Sequence, residues 1–191
     1  MRQVLQVRKV ISVVLCLVTC GCAAITRQPN RCIVTWDAVR AQRHLNQIPP
    51  AQGYTDVRIN LDKLGQGLTL RMPDGKLLRT SEITPEVVWP YTFFSHIGNK
   101  FPHTSVHGRV QFGVLFDCSF WASGGGYNFE FQDGRLVAVG AGGNNPSRPE
   151  SCRPGIGNAD GTIMYWMPLT EKQLTNLFGP FLRKEEVWGG I

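Results

Sequence analysis

No stretch of this chain is apolar for long enough to cross a bilayer as a helix. Its longest apolar run, Val10 to Val18, is nine residues broken by Ser12, whereas a spanning helix needs about 20. Acidic residues are few, 14 against 20 Lys and Arg, but the positive balance is not a nucleic-acid signature. Three of the basic residues, Arg2, Arg8 and Lys9, precede the apolar run, and no basic stripe interleaved with aromatics follows it. The densest basic stretch, Arg27, Arg31, Arg40 and Arg43, reads as a solvated or headgroup-facing segment, so no nucleic-acid partner is expected. No internal repeat is visible either, which excludes a stacked-repeat architecture.

What the start of the chain does contain is a charged region, a short apolar region and then small residues. That is the order of a secretory signal peptide. An A-x-A-like cleavage site is missing, and cysteines stand in its place in "LVTCGCAAITRQPN", residues 17–30. The stretch resembles the lipobox of bacterial lipoproteins: an aliphatic residue and two small ones before the cysteine that becomes lipidated. Two registers fit, one with Gly21 before Cys22 and one with Leu17 three positions before Cys20. Cys22 is the expected attachment site and Cys20 the alternative. The resemblance covers residues 1–24 and implies removal of residues 1–21 and a membrane partnership through the lipid. Each acyl CH₂ buried adds about 0.8 kcal/mol of membrane affinity. In such lipoproteins an Asp straight after the cysteine retains the protein at the inner membrane. Here that residue is Ala23, which implies the outer membrane, facing the periplasm.

Residues 22–32 then read as a polar tether and 33–191 as a single periplasmic domain, long enough to bury a real core. "TWDAVRAQRHLNQI" has Thr35 as an N-cap and no glycine or proline before Pro49, which predicts a helix near 36–46. Val57, Ile59 and Leu61 alternate as a strand does. Leu68, Leu70 and Met72 run into Pro73-Asp74-Gly75, a hairpin signal, with the return strand starting at Lys76. Thr84-Pro85 opens a short helix that Pro90 stops. Apolar residues at every second position from Val106 to Phe120 predict one long strand. Asp133-Gly134 turns a second hairpin, with Phe131 expected opposite Leu136 and Phe129 opposite Ala138. Residues 140–158 are a long irregular excursion, functional or mobile by its length, and "TIMYWM" is a last strand. Thr170 and Gln173 form a capping box, Leu169 can staple onto Leu174, and Gly179-Pro180 end that helix. The expected fold class is therefore α+β, a mainly antiparallel meander sheet with one N-terminal and one C-terminal helix packed on one face.

Sites are sought among the cysteines, histidines, glycines and aromatics. Asp117-Cys118-Ser119 resembles the Asp-Cys-Ser-Gly signature of a family of cell-wall cysteine peptidases, in which the cysteine opens a helix and the histidine lies downstream. Here Gly124 to Gly126 forbid a following helix, and His44, His96, His103 and His107 all lie upstream. Cys118 is read as a core thiol or disulfide partner. His96, His103 and His107 lack a carboxylate between Lys100 and Asp117, so no metal site is expected. The glycine runs lack the strand–glycine–helix context of a phosphate loop. Trp121 and Tyr127 flank the first of these runs and are candidates to line a binding groove. Cys32, Cys118 and Cys152 remain once the lipidated cysteine is set aside, and an oxidising compartment permits one disulfide among them. Cys118 continues an apolar alternation, while Cys32 and Cys152 sit in polar, irregular segments. Cys32–Cys152 is the expected bridge and Cys118–Cys152 the alternative.

No catalytic residue and no cofactor are assigned. The expected function is a non-enzymatic binding or assembly module for another envelope component, a protein or peptidoglycan. A cell-wall hydrolase and an inhibitor or immunity lipoprotein are the alternatives.

Overall fold

The computed structural model describes residues 38–44, 50–92, 103–104, 109–116, 125–143 and 145–187. The chain divides into a unit over residues 1–34, outside the described residues, and a second over 35–191, to which everything below belongs.

Two sheets carry the fold. The larger has seven strands in the order β11-β1-β2-β8-β7-β6-β5. These are β1 (Val39–His44), β2 (Asp56–Asn60), β5 (His103–Thr104), β6 (Val110–Leu115), β7 (Gly126–Gln132), β8 (Arg135–Gly142) and β11 (Leu182–Val187). All its pairings are antiparallel except β1 with β11. The smaller, antiparallel sheet runs β10-β9-β3-β4, from β3 (Thr69–Arg71), β4 (Leu77–Arg79), β9 (Gly155–Gly157) and β10 (Met164–Trp166). Among the described residues three short α-helices accompany them: α1 (Leu61–Leu64), α2 (Pro85–Val88) and α3 (Glu171–Phe178). The class is α+β and mostly antiparallel, as the sequence implies, but two sheets stand where one meander was expected.

The period-two pattern dictates which face is buried. Val39 and Ala41 on β1, Val57 and Ile59 on β2, Phe112 and Val114 on β6, and Phe129 on β7 point inward. Leu70, Leu78 and Ile156 of the small sheet and Leu174, Leu177 and Phe178 of α3 join the same core cluster. Ring contacts run through it: Phe112 meets Trp89 and Phe131 edge-on, at centroid separations of 6.1 and 5.6 Å. Tyr127 meets Phe116 at 5.4 Å and Phe129 at 5.3 Å.

Both predicted hairpins form. Gly75 takes φ 90° in the β3–β4 turn, and Asp133 and Gly134 take 52° and 75° in the β7–β8 turn, the paired positive values of a tight two-residue loop. Phe131 faces Leu136 as expected, but a bulge between Glu130 and Phe131 moves the rest of the ladder, so Phe129 faces Val139. Thr84 caps α2 with Pro85 at its first position. At α3 the Thr170 hydroxyl accepts from the Gln173 amide, and Thr170 N–H donates to Gln173 Oε1 at 2.8 Å.

Three expectations are corrected. The helix placed over 36–46 is not one: Val39–His44 is a strand, held by β2 on one side and β11 on the other. The single strand over 106–120 is shorter, since β5 returns antiparallel on β6 with Thr104 opposite Val110. Val106 and residues 117–120 lie outside the described residues. The 140–158 excursion is partly regular, because β8 reaches Gly142 and β9 enters the small sheet.

Candidate functional site

The solvent face of the seven-stranded sheet is rich in arginine. Register places Arg183, Arg40 and Arg58 side by side across β11, β1 and β2, on the face opposite the buried Val39 and Ile59. Like charges in one cross-strand row repel, and here carboxylates interleave them. Glu185 pairs with Arg40 and, at 3.2 Å, with Arg183. Glu130, 5% exposed, takes three hydrogen bonds of 2.6–3.0 Å from Arg58 and one of 3.2 Å from Arg109. Taking a carboxylate this far from water is costly unless its partners replace the lost hydrogen bonds. This network is therefore spent on the sheet itself, holding β2, β6 and β7 in register.

The open concavity lies elsewhere, where α1, the Thr80–Thr84 segment and the β7–β8 turn meet. It is a depression of about 560 Å³ lined by Leu61, Ile83 and Leu136 below and by Ser81, Asp133 and Arg135 at the rim. Local sequence builds each wall. Asn60 caps α1 by accepting from Lys63 N, and Gly65 closes that helix at φ 68°. The Thr80 hydroxyl accepts from Leu68 N at 3.0 Å, fixing the chain as it leaves β4. The positive-φ turn at Asp133-Gly134 lifts Asp133 and Arg135 to the rim.

Ile83 and Leu136 are 3% and 6% exposed, so the apolar side chains at the floor are mostly covered by their neighbours, and polar groups share the lining. At the rim Arg135 Nη1 donates to Asp62 Oδ1 at 2.5 Å, with both side chains open to solvent. That hydrogen bond holds the Arg135 guanidinium charged even more firmly than usual. An exposed pair of this kind contributes little to stability, so its groups can be redirected to a ligand at small cost. A guanidinium, a carboxylate and a hydroxyl over an apolar floor suit recognition of a partner with an apolar body and polar substituents.

No protein-family model, curated protein or solved structure matches the chain. Its function must be read from its own residues.

The sequence candidates fall as follows. Cys20, Cys22, Cys32, Cys118 and Trp121 lie outside the described residues, as do His96 and His107. Tyr127 lines no groove among the described residues. It is 3% exposed, and its hydroxyl donates to the Gly155 carbonyl at 2.6 Å, with the Arg71 carbonyl at 3.1 Å. It ties β7 of the large sheet to β9 and β3 of the small one, and burial pushes its phenol pKa upward. Cys152 is buried and disulfide-bonded. Among the described residues no three His, Cys, Asp or Glu stand together as metal ligands would, and no helix is long and apolar enough to cross a membrane.

The depression and the Arg58–Glu130–Arg109 cluster escape sequence reasoning. Their members are 72 and 21 positions apart at Glu130. The one local signal is Asp133-Gly134, which marks a turn and not a site.

Proposed function

We propose that this chain is a lipid-anchored envelope protein whose folded domain binds another envelope component without chemistry on it. The leader "LVTCGC" supports the anchor, with Cys22 the lipid-bearing residue, Cys20 its alternative and the outer membrane the address. The observation that carries the binding reading is the depression, whose apolar floor is ringed by groups suited to recognition. The partner is an envelope protein or peptidoglycan.

The tethered wild-type protein, recovered from solubilised envelopes, should retain one stoichiometric protein partner or cosediment with purified sacculi. Arg135→Glu reverses the rim charge and leaves the core untouched, so it should weaken that association about tenfold or more. Equal retention by wild type and Arg135→Glu would move the binding surface elsewhere. Hydrolysis of sacculi by the purified protein would overturn the non-enzymatic reading. The anchor is tested separately by replacing each cysteine of the lipobox. Labelled palmitate should be incorporated into wild type and Cys20→Ser but lost from Cys22→Ser. Membrane retention of the double variant would remove the lipoprotein reading altogether.

A further inference from the structure

Aspartate is followed by glycine three times in this chain, at Asp74-Gly75, Asp133-Gly134 and Asp160-Gly161. Each pair sits in a turn whose glycine takes a positive φ, 90°, 75° and 74° in that order. Such pairs have a reaction of their own. With no Cβ on the second residue, its amide nitrogen can close on the aspartyl Cγ and form a five-membered imide. Two conditions govern the closure. The nitrogen must be free to give up its proton and pivot, and the carboxyl must be uncharged so that its oxygen can leave as water.

The fold works against both conditions at two of the pairs. Gly75 N–H donates to the Met72 carbonyl at 2.9 Å, and Gly161 N–H to the Asn158 carbonyl at 3.1 Å. Their aspartates are held as well, by the side-chain-to-backbone bonds common in turns. Asp74 accepts from the Tyr91 hydroxyl at 2.7 Å and from Lys76 N at 2.9 Å. Asp160 accepts from Thr162 N at 3.0 Å and from the Thr162 hydroxyl at 2.7 Å. Hydrogen bonds to a carboxylate favour its ionised form. Tyr91 and Lys76 accordingly hold the Asp74 carboxyl below the usual carboxylate range, and the Thr162 amide and hydroxyl do the same for Asp160. At the β7–β8 turn neither restraint is present. Among the described residues Gly134 N–H has no acceptor, and the exposed Asp133 carboxylate has no hydrogen bond or ion pair. Nothing lies within 4 Å of the Cβ position of Gly134, which leaves room for the ring.

We infer that Asp133-Gly134 is a modification site, the place where this domain converts aspartate to isoaspartate. The Gly134 nitrogen, its proton passed to solvent, attacks Cγ of the protonated Asp133 carboxyl. The N–Cγ bond forms, the Cγ–OH bond breaks and water leaves with the imide closed. Water then adds to either imide carbonyl. Opening at Cγ restores aspartate; opening at the main-chain carbonyl leaves the chain running through Cβ and Cγ, with the α-carboxylate as the free group. Composition, mass and charge are unchanged, but the two-residue turn between β7 and β8 is one atom longer, which its tight geometry does not accommodate. Asp133 and Arg135 both stand at the rim of the depression, so the change also reaches the proposed binding surface. That consequence rests on the binding reading; the reaction does not.

The folded full chain, incubated for weeks at neutral pH and then digested and mapped by liquid chromatography and mass spectrometry, tests this. An isoaspartyl peptide keeps its mass, elutes apart and resists a protease that cuts before aspartate. Isoaspartate is expected at position 133 several-fold above its level at 74 or 160. The chain unfolded in guanidinium chloride, where the protecting bonds are gone, should form it at all three positions at similar rates. A level at 74 or 160 that equals or exceeds that at 133 in the folded protein overturns the assignment, as does a folded protein that forms none at 133. A preference for 133 that persists unchanged in the unfolded chain also rejects it, because its cause would then be the neighbouring sequence and not the fold. No lipid or partner enters these readouts, so failure here leaves the binding reading standing, and failure of that reading leaves this site standing.

Discussion

Tyr127 shows how one side chain joins two layers. Its ring belongs to the aromatic core of the large sheet and its hydroxyl to carbonyls of the small one. Tyr127→Phe keeps the ring and removes one buried hydroxyl donor from carbonyls that the β3–β9 ladder still pairs, so it should cost about 0.5–1.5 kcal/mol in urea unfolding with the fold unchanged. The pH dependence has a definite sign. The phenol pKa is raised by burial above its ordinary 10.0; above pH 10 the unfolded chain therefore releases a proton that the folded one keeps. The stabilisation is complete below pH 10 and is lost as pH rises further, by about 1.4 kcal/mol per pH unit. Wild type should lose stability above pH 10 more steeply than Tyr127→Phe, and parallel profiles would mean that the phenol ionises freely in the folded state. Glu130 is the other residue on which neighbours depend. Glu130→Ala leaves Arg58 and Arg109 without their shared carboxylate and should destabilise by about 3 kcal/mol. Arg109→Ala, which spares the bidentate Arg58 contact, should stay under about 1 kcal/mol. Equal losses in the two variants would show that Arg109 is the principal partner.

At the scale of elements, legibility follows how local the deciding interactions are. The α3 cap was readable because Thr170, Gln173 and Gly179 fall within one helix and its ends. Thr170→Ala should accordingly lower stability by about 0.5–2 kcal/mol. Leu174→Ala, at a site with 0% exposure, should cost about 2–5 kcal/mol, and unchanged melting in both would mean that α3 does not dock. The β3–β4 and β7–β8 hairpins were readable for the same reason, since each turn lies between its own strands. β1 was not. Its sequence, VRAQRH, has helix-compatible composition and only Val39 and Ala41 as an inward pair; pairing with β2 and β11 overrides that preference. β11, reading LRKEEV, hides because charge suits an edge strand. β9 hides because its glycines look like loop. A Cβ at Gly157 would fall 2.2 Å from Met164 Sδ and 2.5 Å from the Ile163 carbonyl, so glycine there lets β10 lie close, and Gly157→Ala should loosen the small sheet more than any surface change in it.

At the scale of the whole folded unit, two sheets and three short α-helices share one core among the described residues. The sequence by itself determined what depends on neighbours in the chain: the α+β class, both hairpin turns, the caps of α2 and α3, and the alternation that sorts inward from outward side chains. Only the tertiary structure decided the split into two sheets, the place of β11 at the edge with β1 inside it, the register change at Glu130, the burial of Tyr127 and the depression beneath Arg135. Each of these rests on contacts between residues tens of positions apart, whose cost in chain entropy is met by burying a shared core, and no local pattern announces which distant partner that core will select.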